Sequence, residues 1–412
     1  MIVLSGAALV LPDAVLSPGT LVVDGGRIAD IRPEAPSASH ADSHFAFHGH
    51  YIVPGFIDVH VHGVEGIDTL DVRDDAEPVA LIADRLPRYG VTAFCPTTVA
   101  CAPGPLRGVL DQVRRARTTP SPRGARVLPA HLESNFINPE YSGAQPSGCL
   151  RSPRAALGPG GSCGLGGSEF AAADILAEIE RATPDVGIVT LAPELDGGID
   201  LVKWLASRGH RVSLGHSGAT YDQALDAIAA GARHATHLFN RMPPLAHRAP
   251  GLAGAVLQAD EIAAEIICDG FHVHPAMVRM AVAAKRPSRV LAITDSTAAA
   301  GLPVGAAAML GGQSITAGPT TALRPDGTIA GSIVTMDRAF QMLVGQVGLS
   351  LVDAATICAT TPARELGLVG HGILTTGAVA DLVVLDAQLT VVQTYIAGQL
   401  VYARNTTSAP SV

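Results

Sequence analysis

Five short apolar runs in this chain each end in side chains suited to holding a metal ion. They close on DVHVH (residues 58–62), HLE (131–133), GHS (215–217), TH (236–237) and TD (294–295). The intervals between them are long enough for helices. In a closed parallel barrel every strand aims its C-terminal end at one mouth, so side chains far apart in sequence meet there. A doubly wound sheet would instead feed a ligand from two or three loops at a switch point. Ligand-type residues at five strand ends favour the barrel. The expected fold is therefore α/β, a (β/α)8 TIM-type barrel with a metal centre at its mouth, and the expected chemistry is metal-assisted hydrolysis.

Eight runs have barrel-like spacing: Tyr51–Val61, Val91–Thr97, Arg126–Glu133, Gly187–Ala192, Arg211–His216, His234–Leu238, Ala263–Cys268 and Val290–Asp295. Helical patterns such as Ala171–Arg181 and Gln223–Ala230 fill the gaps. Residues 53–370 are expected to form this catalytic barrel. The two ends of the chain read as β-hairpins, with short alternating runs between Gly-Gly and Pro-Gly turns. Neither end has enough strands to bury a sheet face alone. One small β-sandwich domain built from 1–52 and 371–404 is expected, with 405–412 as a flexible tail. The glycine-rich stretch 158–167 lacks the G-K-[ST] ending of a phosphate loop and reads as a surface loop, with a mobile flap as the alternative.

Composition narrows the partners. The net charge is −9 and there is no basic run, which argues against nucleic acid and anionic membranes. No uncharged run approaches the ~20 apolar residues of a membrane span. Six cysteines are scattered without a C-x-x-C pair, which points away from a disulfide framework and towards a reducing cytoplasm. Residues 1–23 lack a basic start and contain Pro12 and Asp13, so they read as strands and not as a signal peptide.

Taken singly, each site residue has an ordinary reading. His60 and His62 share a strand face and can point at one spot. Glu133 ends an apolar strand, where a cation would solve the problem of burying its charge. His216 and His237 alone would be satisfied polar residues. With Glu133 they make two imidazoles and a carboxylate, an arrangement that leaves a catalytic ion one open position. Asp295 is either an Asx-type strand end or the carboxylate that takes a proton from the attacking water and returns it to the leaving amine. The fourth strand, within GIVTLAPE (187–194), holds no lysine to bridge two ions. Glu133 would have to bridge if a second ion sat beside His60 and His62.

These motifs together resemble the N-acetylglucosamine-6-phosphate deacetylase family of the amidohydrolase superfamily. The resemblance covers nearly the whole chain. It runs through PGFIDVHVHG (54–63), TLAPE (190–194), GHSGAT (215–220), ATHLFNRMPP (235–244), DGFHV (269–273), GSIVTMD (331–337) and TPAR (361–364). It implies hydrolysis of the N-acetyl amide of N-acetylglucosamine 6-phosphate to glucosamine 6-phosphate and acetate. It implies a principal divalent ion on Glu133, His216 and His237, with Asp295 as general base and acid. Zinc is the first expectation, with iron, manganese or cobalt as alternatives. One ion is implied, or two where His60 and His62 take a second. Asn240, the backbone N–H of Arg241, Arg248 and His272 are implied at the phosphate and sugar, with Ser134 and Met336 as further substrate contacts. A homodimer is implied as well.

Two departures bear on the substrate. The family reads HLEGP where this chain has HLESN (131–135), and GAH where it has GAQ (143–145). Gln145 can donate a neutral hydrogen bond but cannot become cationic. Losing such a donor costs ~10²–10³ in rate, so either Gln145 serves the catalytic role of that imidazole or a second metal ion does. The alternative is a deacylase for a different, non-phosphorylated N-acyl amino sugar or another N-acyl compound. A non-catalytic barrel is disfavoured by the intact Glu133, His216, His237 and Asp295.

Overall fold

The computed structural model describes residues 1–33, 43–71, 77–158 and 170–404. Most of the glycine-rich stretch (159–167) and the expected tail (405–412) lie outside the described residues. Eight parallel strands form the barrel: Phe56–Val61, Val91–Thr98, Ala130–Glu133, Val186–Leu191, Arg211–Leu214, His234–Ala235, Ala263–Ile267 and Val290–Ile293. Each pairs with the next in this order. A parallel bridge between Val61 and Ser296 closes the circle, helped by the Asp295 N–H donating to His60 O at 3.0 Å. Asp58 stitches the same seam, since its Oδ2 accepts from Thr294 Oγ1 at 2.6 Å. Burial pushes the Asp58 carboxyl up to about 7.

The outer helices follow local sequence logic. In Tyr221–Ala230, Thr220 and Gln223 cap each other's backbone N–H groups, and Gly231 ends the helix with φ of 123°. In Ala172–Ala182, Ile175, Leu176 and Ile179 recur at helical spacing and are buried against the barrel. No helix among the described residues is long and apolar enough to cross a membrane.

The run 51–61 serves two sheets. Tyr51–Pro54 pairs with strands of the chain termini, while Phe56–Val61 opens the barrel. The crossing falls at Gly55, where a Cβ would lie 2.3 Å from Thr92 Oγ1. The terminal sheet is one mixed hydrogen-bonded sheet with spatial order Gln399–Ala403, Val391–Ile396, Leu382–Leu385, Tyr51–Pro54, Ile2–Val10, Val15–Asp24 and Arg27–Pro33. Ser43–Ala46 lies alongside Ile2–Val10. Its own core includes Leu4, Leu9, Leu21, Ile28, Ile52, Leu382 and Tyr395.

After the eighth strand the chain builds a four-stranded antiparallel unit: Ala307–Leu310, Gln313–Ala317, Thr321–Leu323 and Ile329–Ser332. The helical reading of the barrel segment did not include it. Gly311 and Gly312, with φ of 55° and 80°, form its first turn between Leu310 and Gln313. Two left-handed residues match the right-handed twist of a hairpin. This unit leans over the barrel mouth and forms part of the wall of the site.

Candidate active site

At three strand ends the chain leaves the sheet just before the ligand-type residue. His216 lies two residues beyond Leu214, His237 two beyond Ala235, and Asp295 two beyond Ile293. All three have positive φ (48°, 31° and 49°). Left-handed backbone is uncommon for residues with a Cβ and persists where the surroundings over-determine it, often at functional sites. Each strand therefore ends in a sharp turn that swings its side chain across the barrel axis.

The side chains converge tightly. Glu133 Oε1 lies 2.9 Å from Nε2 of both His216 and His237, and those two nitrogens are 3.0 Å apart. His60 and His62 approach each other at 3.2 Å between Nε2 atoms. Asp295 Oδ1 lies 3.3 Å from each of them. His62 Nε2 is 3.5 Å from Glu133 Oε2. Facing imidazole lone pairs repel unless a cation or proton lies between them. Tetrahedral bonds of ~2.0–2.1 Å place donor atoms roughly 3.3 Å apart, close to these separations. Glu133, His216 and His237 fit a divalent cation, and His60, His62 and Glu133 form a second group of the same kind.

Buried partners set the ring orientations. His216 Nδ1–H donates to Tyr141 O at 2.8 Å, which leaves its Nε2 lone pair for a ligand role. Glu265, which the sequence reading missed, is fully buried beneath the cluster. It accepts from His60 Nδ1 at 3.0 Å and from His234 Nε2 at 2.8 Å. A carboxylate inside an apolar strand (AAEII, 263–267) was the signal that could have found it. His131 is bound to Val59 O and Thr190 Oγ1, and burial pulls it down to about 3. For Glu133, burial opposes its charge, but His216 and hydrogen bonds from His216, His237 and His62 hold it well below the usual carboxylate range. Asp295 is lowered too: burial raises it, and His60 and His62 outweigh that.

A cavity of about 530 Å³ opens above the cluster. His62, Glu133, Gln145, His216, His237 and Asp295 form its floor, with Asn240, Arg241 and His272 on its wall. Phe239 and Arg241 also have positive φ, 77° and 53°. Gly143 (φ 63°) sits against Arg241, where a Cβ would come 2.5 Å from the guanidinium Nε. His272 Nδ1 is 2.6 Å from Asp269 Oδ2. Burial lowers the His272 imidazole, and the Asp269 bond and charge more than offset that, so its pKa is raised. Leu310, Ile329 and Gly331 of the four-stranded unit complete the wall.

Four expected residues are not on that wall. His60 is fully buried behind His62. Ser134 donates its hydroxyl to Thr190 O at 2.5 Å, because a buried hydroxyl takes the nearest carbonyl. Met336 is fully buried among apolar side chains at the start of the helix Met336–Met342, where its flexible thioether fills core space. Arg248 is exposed on the loop before Gly251–Gln258.

Comparison with known proteins agrees with this geometry. Residues 51–401 match the model of the amidohydrolase family. N-acetylglucosamine-6-phosphate deacetylase of Bacillus subtilis (strain 168) is 34% identical over 398 residues, covering 96% of each chain. The human enzyme of that name is 39% identical over 394 residues, covering 93% of this chain and 91% of the relative. Among solved structures, a mutant N-acetyl-D-glucosamine-6-phosphate deacetylase of Mycobacterium smegmatis, in complex with N-acetyl-D-glucosamine-6-phosphate, superposes with a TM-score of 0.85. It is 31% identical, and the match covers 97% of this chain and 99% of that one. The chain is thus a metal-dependent hydrolase of the amidohydrolase superfamily and belongs to its N-acetylglucosamine-6-phosphate deacetylase family.

Proposed function

We propose that this enzyme hydrolyses the N-acetyl amide of N-acetylglucosamine 6-phosphate, releasing acetate and glucosamine 6-phosphate. The observation that carries the reading is the shared cavity. Its floor holds the Glu133, His216, His237 cluster and Asp295, and its wall offers Asn240, Arg241 and His272 to an anionic far end. The ion on Glu133, His216 and His237, which we take to be a single zinc, supplies Lewis acidity towards the acetyl carbonyl and the attacking water. Asp295, ionised and within the cluster, accepts the water's proton and then donates it to the departing nitrogen. Gln145 lines the cavity and carries an Nε2 with two N–H groups, so it can donate to the acyl oxygen.

Arg241 and a cationic His272 hold the phosphate, and Asn240 donates to the sugar. A homodimer fits the exposed apolar side chains Leu245 and Phe271, which adjoin the wall residues in sequence, and would give exposed Arg248 a role at the subunit contact. A cytoplasmic location fits the five described cysteines, all of them free. The test is acetate release from N-acetylglucosamine 6-phosphate and from N-acetylglucosamine, in one assay with added zinc. Strong preference for the phosphate is expected. No phosphate dependence overturns the reading.

A further inference from the structure

A second cavity, of about 610 Å³, lies at the opposite end of the barrel, where the third to sixth strands begin. Pro129 precedes Ala130–Glu133, Gly187 is the second residue of Val186–Leu191, Arg211 opens Arg211–Leu214, and Arg233 precedes His234–Ala235. Glu365, the last residue of the helix Thr361–Glu365, and the three residues after it complete the wall. This basal cavity shares no lining residue with the cavity at the mouth.

Its charge opposes that of the chain, whose net is −9. Glu365 is the one carboxylate on its wall among the described residues. Three guanidiniums share that carboxylate: Arg211 at 3.0 Å, Arg364 at 2.8 Å and Arg289 at 3.3 Å. Arg208, also on the wall, donates to Glu180 Oε1 from Nε at 3.0 Å and from Nη2 at 2.9 Å. Arg233 gives its Nη1 to the carbonyls of Ile228 at 2.8 Å and Ala232 at 2.7 Å, and makes no ion pair among the described residues. Five arginines thus meet two carboxylates. Burial lowers the Arg211 guanidinium, and Arg289 and Arg233 lower it further while Glu365 opposes them. Like charges gathered in one concavity raise the local concentration of anions.

Two features narrow the anion. The excess of arginine over carboxylate is more than a monoanion neutralises, whereas a phosphate monoester carries about −1.5 to −2 near pH 7. The planar fork of each guanidinium suits phosphate oxygens. Leu128, Leu366 and Leu368 share the wall, so a carbon skeleton also finds apolar surface there. The volume exceeds the 530 Å³ of the mouth cavity, and a bare inorganic ion would touch little of it. We propose that the basal cavity is a second ligand site, which binds a small phosphate monoester of sugar-phosphate size through Arg233, Arg208 and Arg211.

Trp204 gives this site its own reporter. It is the only tryptophan of the chain, and the Arg208 guanidinium lies 3.8 Å from its ring centroid. The full-length protein is titrated with glucose 6-phosphate, inorganic phosphate and glucose, by calorimetry and by Trp204 emission, at constant ionic strength. Glucose 6-phosphate should bind with a saturable change in emission that survives Arg241→Ala at the mouth. Arg233→Ala should weaken this binding at least about tenfold, the loss of one charge-assisted hydrogen bond, and Arg233→Glu should abolish it. Arg233 is exposed and bonded only to backbone carbonyls, so both variants should melt near the parent temperature. Glucose should not bind, and inorganic phosphate should bind more weakly than the ester. Calorimetry decides where emission is silent. Binding that is unchanged in folded Arg233→Glu, or absent from the parent, or wholly lost in Arg241→Ala overturns the proposal. Equal affinity for inorganic phosphate overturns the assignment to an ester. Each outcome is independent of acetate release, because the two cavities have separate walls.

Discussion

Replacing Asp295 by Asn tests the proton transfer proposed for it. Asn keeps the shape of the side chain and tolerates the left-handed backbone (φ 49°) that Asp295 adopts. The proposed ligands Glu133, His216 and His237 are untouched, so the zinc proposed there should stay bound. The residues proposed for the phosphate end are separate side chains lining the cavity, so KM should change little. What is lost is a carboxylate that His60 and His62 keep ionised against the effect of burial. A positioned base contributes about 10²–10⁴ in rate, or roughly 2.7–5.4 kcal/mol at 1.36 kcal/mol per tenfold. The expected result is a kcat lowered by about two to four powers of ten, with zinc content and melting temperature near those of the parent. Acetate release is followed by proton NMR, with bound zinc counted on the same samples. A zinc-loaded variant with kcat within about threefold of the parent, under ~0.7 kcal/mol, would refute Asp295 as the base.

Three further outcomes follow from the geometry. Glu265→Gln leaves only one amide oxygen for the imidazole N–H groups of His60 and His234, so one loses its acceptor; urea unfolding should show a loss of about 1–3 kcal/mol. Gly143→Ala adds a Cβ at φ 63° against Arg241. It should raise KM for the phosphorylated substrate while costing about 1–2 kcal/mol of stability, and unchanged KM would count against Arg241 at the phosphate. His272 has a raised pKa, so its cation, and any stability it adds, is fully present below the ordinary imidazole value and is lost as pH rises through the raised one. Measured above pH ~7, where the substrate phosphate is already largely dianionic, KM should climb with pH, and His272→Gln should flatten that profile.

Much of this site was legible in one dimension. A parallel barrel forces strand ends together, so apolar runs ending in His60, Glu133, His216, His237 and Asp295 announced a shared mouth before any contact was known. The helical run Gln223–Ala230 and the alternation in the terminal strands are local signals that the sequence carries by itself. The four-stranded unit was missed although Gly311-Gly312 between two short runs carries a hairpin signature.

Other properties were decided by tertiary structure alone. The split of the run 51–61 between two sheets depends on Thr92 packing against Gly55. Met336 and Ser134 carry family-like positions, yet burial and the nearest carbonyl direct them away from the cavity. Glu265 gains its meaning only from His60 and His234, which reach it from two other strands. The sequence determined which chemical groups stand at the barrel mouth, because strand period and strand ends are local. Which side chains face the cavity depends on three-dimensional distances of a few ångströms between segments brought together only by the closed barrel.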